Sequence, residues 1–120
     1  MTKTTVFHIK KDSGLLFNAN NKLRIPISAI KPVAKIEGSD KDNAYYLTNS
    51  IDSSWVKNEN VDVVSEDYVN GLVKGLRSTS VGDVILTEEN GTEKYWVVDD
   101  FGFNPLEMIS DYLLNYTVAS

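Results

Sequence analysis

Apolar and polar residues alternate over several short stretches, the period-two signature of half-buried strands. In Thr4 to Lys10, Phe7 and Ile9 are set against Val6, His8 and Lys10. The pattern predicts a strand with Phe7 and Ile9 facing the core and His8 beside Val6 on the other face. Asp12-Ser13-Gly14 is a turn signal. Leu15-Leu16-Phe17 reads as a short second strand, broken by the asparagine-rich Asn18 to Asn21. Lys22 to Ile30 alternates Leu23, Ile25, Ile27 and Ala29 with Lys22, Arg24, Pro26 and Ser28. Pro26 has no N–H for a ladder, so that strand belongs at an edge or a bulge. Val33 to Ile36 continues the sheet after Pro32.

The polar stretch Glu37 to Asn43 reads as a loop and is the best candidate for a mobile segment. Ala44-Tyr45-Tyr46-Leu47-Thr48 reads as a strand on its aromatic content. Asn49 to Asn60 is a polar excursion pinned by Trp55, and Val61 to Val64 is a short strand or the lead into a helix. Ser65 caps a helix of about ten residues, with Glu66 and Asp67 where the dipole favours acids. Tyr68, Val69, Leu72, Val73 and Leu76 fall at helical spacing. Gly71 and Gly75 each weaken this helix by roughly 1 kcal/mol against alanine, and Gly75 is a candidate terminator.

Farther on, the pattern is clearer. Val81 to Glu89 and Thr92 to Val98 are strands joined by Asn90-Gly91, the dipeptide of a type I′ turn. A two-residue loop fixes the register, setting Leu86 opposite Tyr95, Ile85 opposite Trp96 and Val84 opposite Val97. Asn104-Pro105-Leu106-Glu107 is a capping-box variant with proline at the first helical position. It predicts a helix to about Tyr116, with Leu106, Ile109, Leu113 and Tyr116 as its stripe. The expected fold is one α+β domain over residues 1–120: a mostly antiparallel sheet with a C-terminal β-hairpin and two helices packed on it.

Composition fits this reading. The 120 residues are 42% apolar and 24% charged, the balance of one globular domain. There is no cysteine, which removes disulfides, thiolate metal sites and cysteine nucleophiles together. His8 is the single histidine, so one chain cannot build a histidine metal cluster. No apolar run approaches the length of a membrane span, and the N-terminus lacks the apolar stretch of a signal peptide. The expectation is a soluble protein of the cytoplasm, with no cofactor, no metal and no membrane partner.

Charge changes the picture more. The net charge of −5 divides into +6 over residues 1–36, −6 over 37–67 and −5 over 68–120. Such asymmetry marks either a polyanion-binding end or a basic strand folded against an acidic one. The basic residues of the first third are scattered, and only two arginines occur in the whole chain, few for phosphate or base readout. An acidic protein also repels nucleic acid at long range. A protein partner with a basic surface is the better expectation.

Leu76-Arg77-Ser78-Thr79-Ser80-Val81-Gly82-Asp83-Val84-Ile85, followed by Tyr95-Trp96-Val97-Val98 and Phe101-Gly102-Phe103, carries a resemblance. It resembles the R-S-x-S-V-G-D-V, hairpin, F-G-F pattern of short phage and mobile-element proteins of unassigned activity. More distantly it is similar to the YodL-like domain of conjugative elements. Tyr45 to Trp55 resembles the segment preceding this pattern in the phage proteins, so the likeness covers about residues 44–103. It implies a phage or mobile-element setting, often shared with counter-defence genes.

The candidate binding residues are Trp55, Arg77, Asp83, Asp99, Asp100 and Phe101. Arg77 to Asp83 offers hydroxyls, an arginine and an acid, either as a phosphate cradle or as a turn closed by an Arg77 pair with Asp83 or Asp99. The lysine and glycine spacing of a P-loop is absent. Asp83, Asp99 and Asp100 at one end of the hairpin are a candidate oxygen site for Mg²⁺ or Ca²⁺, or ordinary strand-end acids. Phe101 and Phe103 flank Gly102 as core staples or as an exposed contact. Tyr45, Tyr46, Tyr95, Trp55 and Trp96 suggest a stacking platform, but Tyr95 and Trp96 must face opposite sides of one strand. The expectation is a non-enzymatic accessory protein that binds a host protein, with Trp55 as an aromatic anchor. The alternatives are a nucleic-acid module using the basic first third, or a minor structural virion protein.

Overall fold

The computed structural model describes residues 2–10, 24–26, 30–38, 40–49, 54–100 and 102–109. Among them run β1 (Thr2–Ile9), β2 (Arg24–Pro26), β3 (Ile30–Glu37), α1 (Lys41–Leu47), a 3-10 turn (Trp55–Lys57), β4 (Asp62–Val63), α2 (Glu66–Val69), β5 (Val84–Glu89), β6 (Thr92–Asp99) and β7 (Gly102–Ile109). The strands form one sheet in the order β2-β7-β6-β5-β1-β3-β4. Every neighbouring pair is antiparallel except β2 with β7. The architecture is thus a mostly antiparallel sheet carrying two short helices. No helix among the described residues is long and apolar enough to cross a membrane.

The β5–β6 hairpin forms as the sequence predicts. Asn90 and Gly91 take φ of 51° and 82°, and Leu86, Ile85 and Val84 stand opposite Tyr95, Trp96 and Val97. Pro26 lies on β2, at an edge of the sheet, opposite Ile109 of β7. Pro32 sits beside a bulge: Val6 faces Ala34 and Phe7 faces Pro32, leaving Val33 as the extra residue. The proposed strand at Leu15 to Phe17 lies outside the described residues.

Four expectations are corrected. The main core lies on the Val6 face of β1, where Val6 and His8 are buried with Val33, Ala34, Ile36, Ala44, Trp55, Ile85 and Val98. Phe7 and Ile9 are only half-buried and join a smaller cluster with Ile30, Val84 and Val97. Alternation assigns residues to two faces but does not say which face the next layer covers.

Residues 41–47 are helical, where a loop and a strand were expected. The Asp40 side chain accepts the Asn43 N–H at 2.8 Å, an N-cap bond that starts α1. Ala44 and Thr48, one turn apart, then face the core. The two tyrosines had suggested a strand; in fact Tyr45 packs edge-on against Phe103 and Tyr46 is exposed.

The helix expected after Ser65 is a single turn. Gly71, at φ 76°, ends it. The Gly71 N–H donates to the Tyr68 carbonyl at 3.1 Å and the Leu72 N–H to the Asp67 carbonyl at 2.8 Å, a Schellman closure.

Residues 102–109 form β7 instead of starting a helix at Asn104, so the hairpin is followed by a further strand. β7 pairs antiparallel with β6 from Asp99 opposite Gly102 onwards and covers the edge that β6 would otherwise leave open. Asn104 spends its side chain on Asp99, donating from Nδ2 to Oδ2 at 2.6 Å, and caps no helix. The rest of the predicted helix, residues 110–116, lies outside the described residues.

The type I′ turn yields a direct test. Gly91→Ala places a Cβ at positive φ and is expected to cost about 1 kcal/mol. Urea denaturation should show a lower midpoint at unchanged slope.

Candidate functional site

The segment from Arg77 to Asp83 folds back on itself and closes on β1. Asp83 is 0% exposed. Its carboxylate accepts the backbone N–H of Ile9 at 2.9 Å and that of Ser80 at 2.8 Å. Arg77 adds a bidentate clamp, Nη1 to Oδ2 at 2.6 Å and Nη2 to Oδ1 at 2.7 Å. Four donors fill the roughly four lone-pair sites of the ion. The backbone of Asp83 is also engaged: its N–H donates to the Ser80 carbonyl, and its carbonyl accepts the Val98 N–H. Gly82, at φ 96°, lets the turn close and donates to the Val98 carbonyl. Through its carboxylate and its backbone together, one residue joins β1, β6 and the 77–83 turn.

A second chain of bonds runs from His8 to α1. His8 Nε2 lies 3.0 Å from Thr79 Oγ1, which lies 2.7 Å from Thr48 Oγ1, which lies 2.9 Å from the Ala44 carbonyl. The carbonyl only accepts, so Thr48 donates to it and accepts from Thr79. Thr79 therefore accepts from His8, which fixes the neutral imidazole with its proton on Nε2. Trp55 completes the group, meeting His8 edge-on at 6.3 Å and donating from its indole N–H to the Arg77 carbonyl at 2.8 Å.

Burial holds the His8 imidazole down to about 4. Asp83, whose Oδ2 is 4.0 Å away, pulls the other way, while Arg77 and Lys31 add to the lowering. The Arg77 guanidinium is pushed above its ordinary value, first by its hydrogen bond to Asp83.

The structure thus unites two expected residues, Arg77 and Asp83, as a closed turn. Arg77 remains 46% exposed on its outer side. Asp83 is corrected as a ligand-binding acid, because its oxygens are occupied within the fold. Trp55 is corrected as a surface anchor: it is 2% exposed and bonded inside the core. Asp99 and Asp100 are exposed at the β6–β7 connection, where Asp99 accepts the Asp100 N–H at 2.7 Å and the Asn104 side chain. The expected trio of carboxylates does not assemble, since Asp83 points into the protein. No group of three histidine or acid side chains among the described residues is placed to hold a metal ion. Phe101 lies outside the described residues. Tyr95 and Trp96 do take opposite faces, and Lys41 Nζ sits 4.6 Å from the Trp96 ring centroid.

Sequence reasoning missed Thr48, Thr79 and His8 as one network, because they lie 31 and 71 residues apart. It also did not find the two surface features. Val69, Leu72 and Val73 stand exposed around the Schellman turn, with Leu72 at 73%. A cleft of about 970 Å³ opens beside α1 and the strand ends of β1, β3 and β4, lined by Lys3, Lys35, Glu37, Glu59, Asp62 and Glu88 among others. The basic first third is interleaved with acids here: Lys3 stands opposite Glu37 and Glu88, Lys35 opposite Asp62, and Lys31 bridges to Asp67 at 3.7 Å. Register also divides these lysines, placing Lys31 on the His8 face and Lys3 and Lys35 on the Phe7 face.

No family model, curated protein or solved structure matches the chain.

Two outcomes follow from this geometry. Arg77→Met strands a buried carboxylate and should destabilise by about 3 kcal/mol or more, although Arg77 itself is half-exposed. Adding Asp83→Leu should recover at least about 1 kcal/mol, a coupling read by a double-mutant cycle in urea. The second outcome concerns acid. Unfolding returns His8 from about 4 to its ordinary 6.5, so the unfolded chain binds a proton that the folded chain refuses. The His8 contribution is complete above 6.5 and is lost as pH falls towards 4. The loss is roughly 3 kcal/mol. His8→Gln keeps a donor without the titration and should flatten that part of the stability–pH curve.

Proposed function

We propose that this chain is a small non-enzymatic accessory protein of the phage or mobile-element kind. It acts in the cytoplasm of a bacterial host by binding a host protein with a basic surface, in host takeover or counter-defence. The setting rests on the resemblance of Arg77 to Val84 and Phe101 to Phe103. The mode of action rests chiefly on the arrangement of charge. Lys3, Lys31 and Lys35 stand beside carboxylates, and Glu37, Glu59, Asp62 and Glu88 against Lys3 and Lys35 leave the cleft with an excess of negative charge. That arrangement suits a basic protein and disfavours a phosphate backbone. The internal saturation of Asp83 supports a scaffold role for the Arg77–Asp83 pair over a catalytic one. With Trp55 buried, Val69, Leu72 and Val73 supply the exposed apolar area that a protein contact would cover.

A pull-down of the tagged chain from bacterial lysate tests this reading, at low and then moderate salt, with and without nuclease. The expected result is a stoichiometric basic protein that survives nuclease and is shed as salt rises. Loss of the bound material on nuclease treatment would instead favour a nucleic-acid module. An empty bait at low salt would remove the binding reading.

A further inference from the structure

The cleft beside α1 carries more than an excess of acids. Two lysines and four carboxylates line it, and among the described residues none of the six closes an ion pair with another. Thr5 lines the same cleft and is only 7% exposed. Its hydroxyl has no hydrogen-bond partner among the described residues. A buried hydroxyl without a partner is uncommon in a finished fold and points to a group that arrives from outside. Half-buried Leu47 also lines the cleft, whereas Ile36 and Val61 beside it are committed to the main core.

Those features together describe an occupant. The surrounding carboxylates take a cationic head. A guanidinium has five donors to share between carboxylates and a hydroxyl, and it keeps its charge at every working pH. An anion would meet the four carboxylates. The volume of about 970 Å³ exceeds the need of one side chain and leaves room for the segment that carries it.

We propose that this cleft is the recognition site for an arginine side chain presented by the partner protein, held by Glu59, Asp62 and their neighbouring carboxylates, with the Thr5 hydroxyl as a further partner. The proposal rests on the protein-binding function argued above and names the chemistry that the partner must display.

The test titrates the ¹⁵N-labelled full chain with the blocked tripeptide Gly-Arg-Gly, its citrulline analogue and spermidine. The expected result is saturable amide shifts confined to residues around Thr5, Glu37, Glu59 and Asp62. Binding should weaken about tenfold or more with citrulline, which keeps the shape and removes the charge. Glu59→Gln/Asp62→Asn, at two exposed positions, should weaken it similarly, and Thr5→Val should weaken it by less. Equal shifts with citrulline would overturn the proposal, as would shifts spread to Glu93, Asp99 and Asp100, or none. Tighter binding of spermidine at the same residues would overturn the assignment to a protein side chain. The lysate experiment separates the two claims. A partner retained undiminished by Glu59→Gln/Asp62→Asn removes this cleft and leaves the binding function standing, whereas no partner on the wild-type chain removes that function.

Discussion

The fold depends on placing one ionised carboxylate where water does not reach. Asp83 is fully buried, and Arg77, Ser80 and Ile9 all donate to it. Each donor comes from a different place: the edge of the 77–83 segment, the turn within it, and the end of β1. Satisfying the charge therefore fixes where the segment crosses the sheet. Once it is fixed, Thr79 reaches Thr48 and His8, and Trp55 reaches the Arg77 carbonyl. The helix, the 3-10 turn and the first strand are locked by the same short stretch. The direction of every proton in the His8 chain follows from a single carbonyl at Ala44.

Putting the polar network inside has a consequence for the surface. Trp55 and Asp83, two of the candidate binding residues, are consumed by structure, so the outer faces carry the capacity for contact. Among the described residues the outside carries an acidic rim, two unbridged lysines beside it, and exposed apolar side chains that include Val69, Leu72 and Val73 around a Schellman turn. Surfaces of that kind recognise by charge and shape. The exposure of Leu72 and Val73 accompanies the brevity of α2. Gly71 at positive φ stops the helix after one turn, and the side chains that a longer helix would have laid along the sheet stand in solvent instead.

How much of this was legible depended on the range of the signal. Asn90-Gly91 is a local code, and it gave the β5–β6 register residue by residue. Pro26 likewise named its edge strand. The pairing of Arg77 with Asp83 was readable as one option because six residues separate them. Asp40 is also a local signal: an acid three residues before Asn43 marks a helix start, but the tyrosines after it drew the reading towards a strand. Asn104-Pro105 shows the opposite error, since a good capping sequence was overridden by the open edge of β6. The burial of Trp55 and the choice of the Val6 face were not readable, because both depend on which layer covers the sheet. The cleft is assembled from β1, β3, the 59–62 segment and β5, and only the folded register brings its carboxylates together.

The claim that a single buried carboxylate organises the fold is tested most directly by native-state hydrogen exchange. The amides of Ile9 and Ser80 end on Asp83, and the Thr79 amide ends on Thr48. If the network is the constraint on which the rest depends, these three amides should exchange only through global unfolding, with the same opening free energy as the core amide of Ile85. Exchange of Ile9 and Ser80 through a local opening, while Ile85 stays protected, would contradict it and make the 77–83 segment an appendage to a sheet that stands without it.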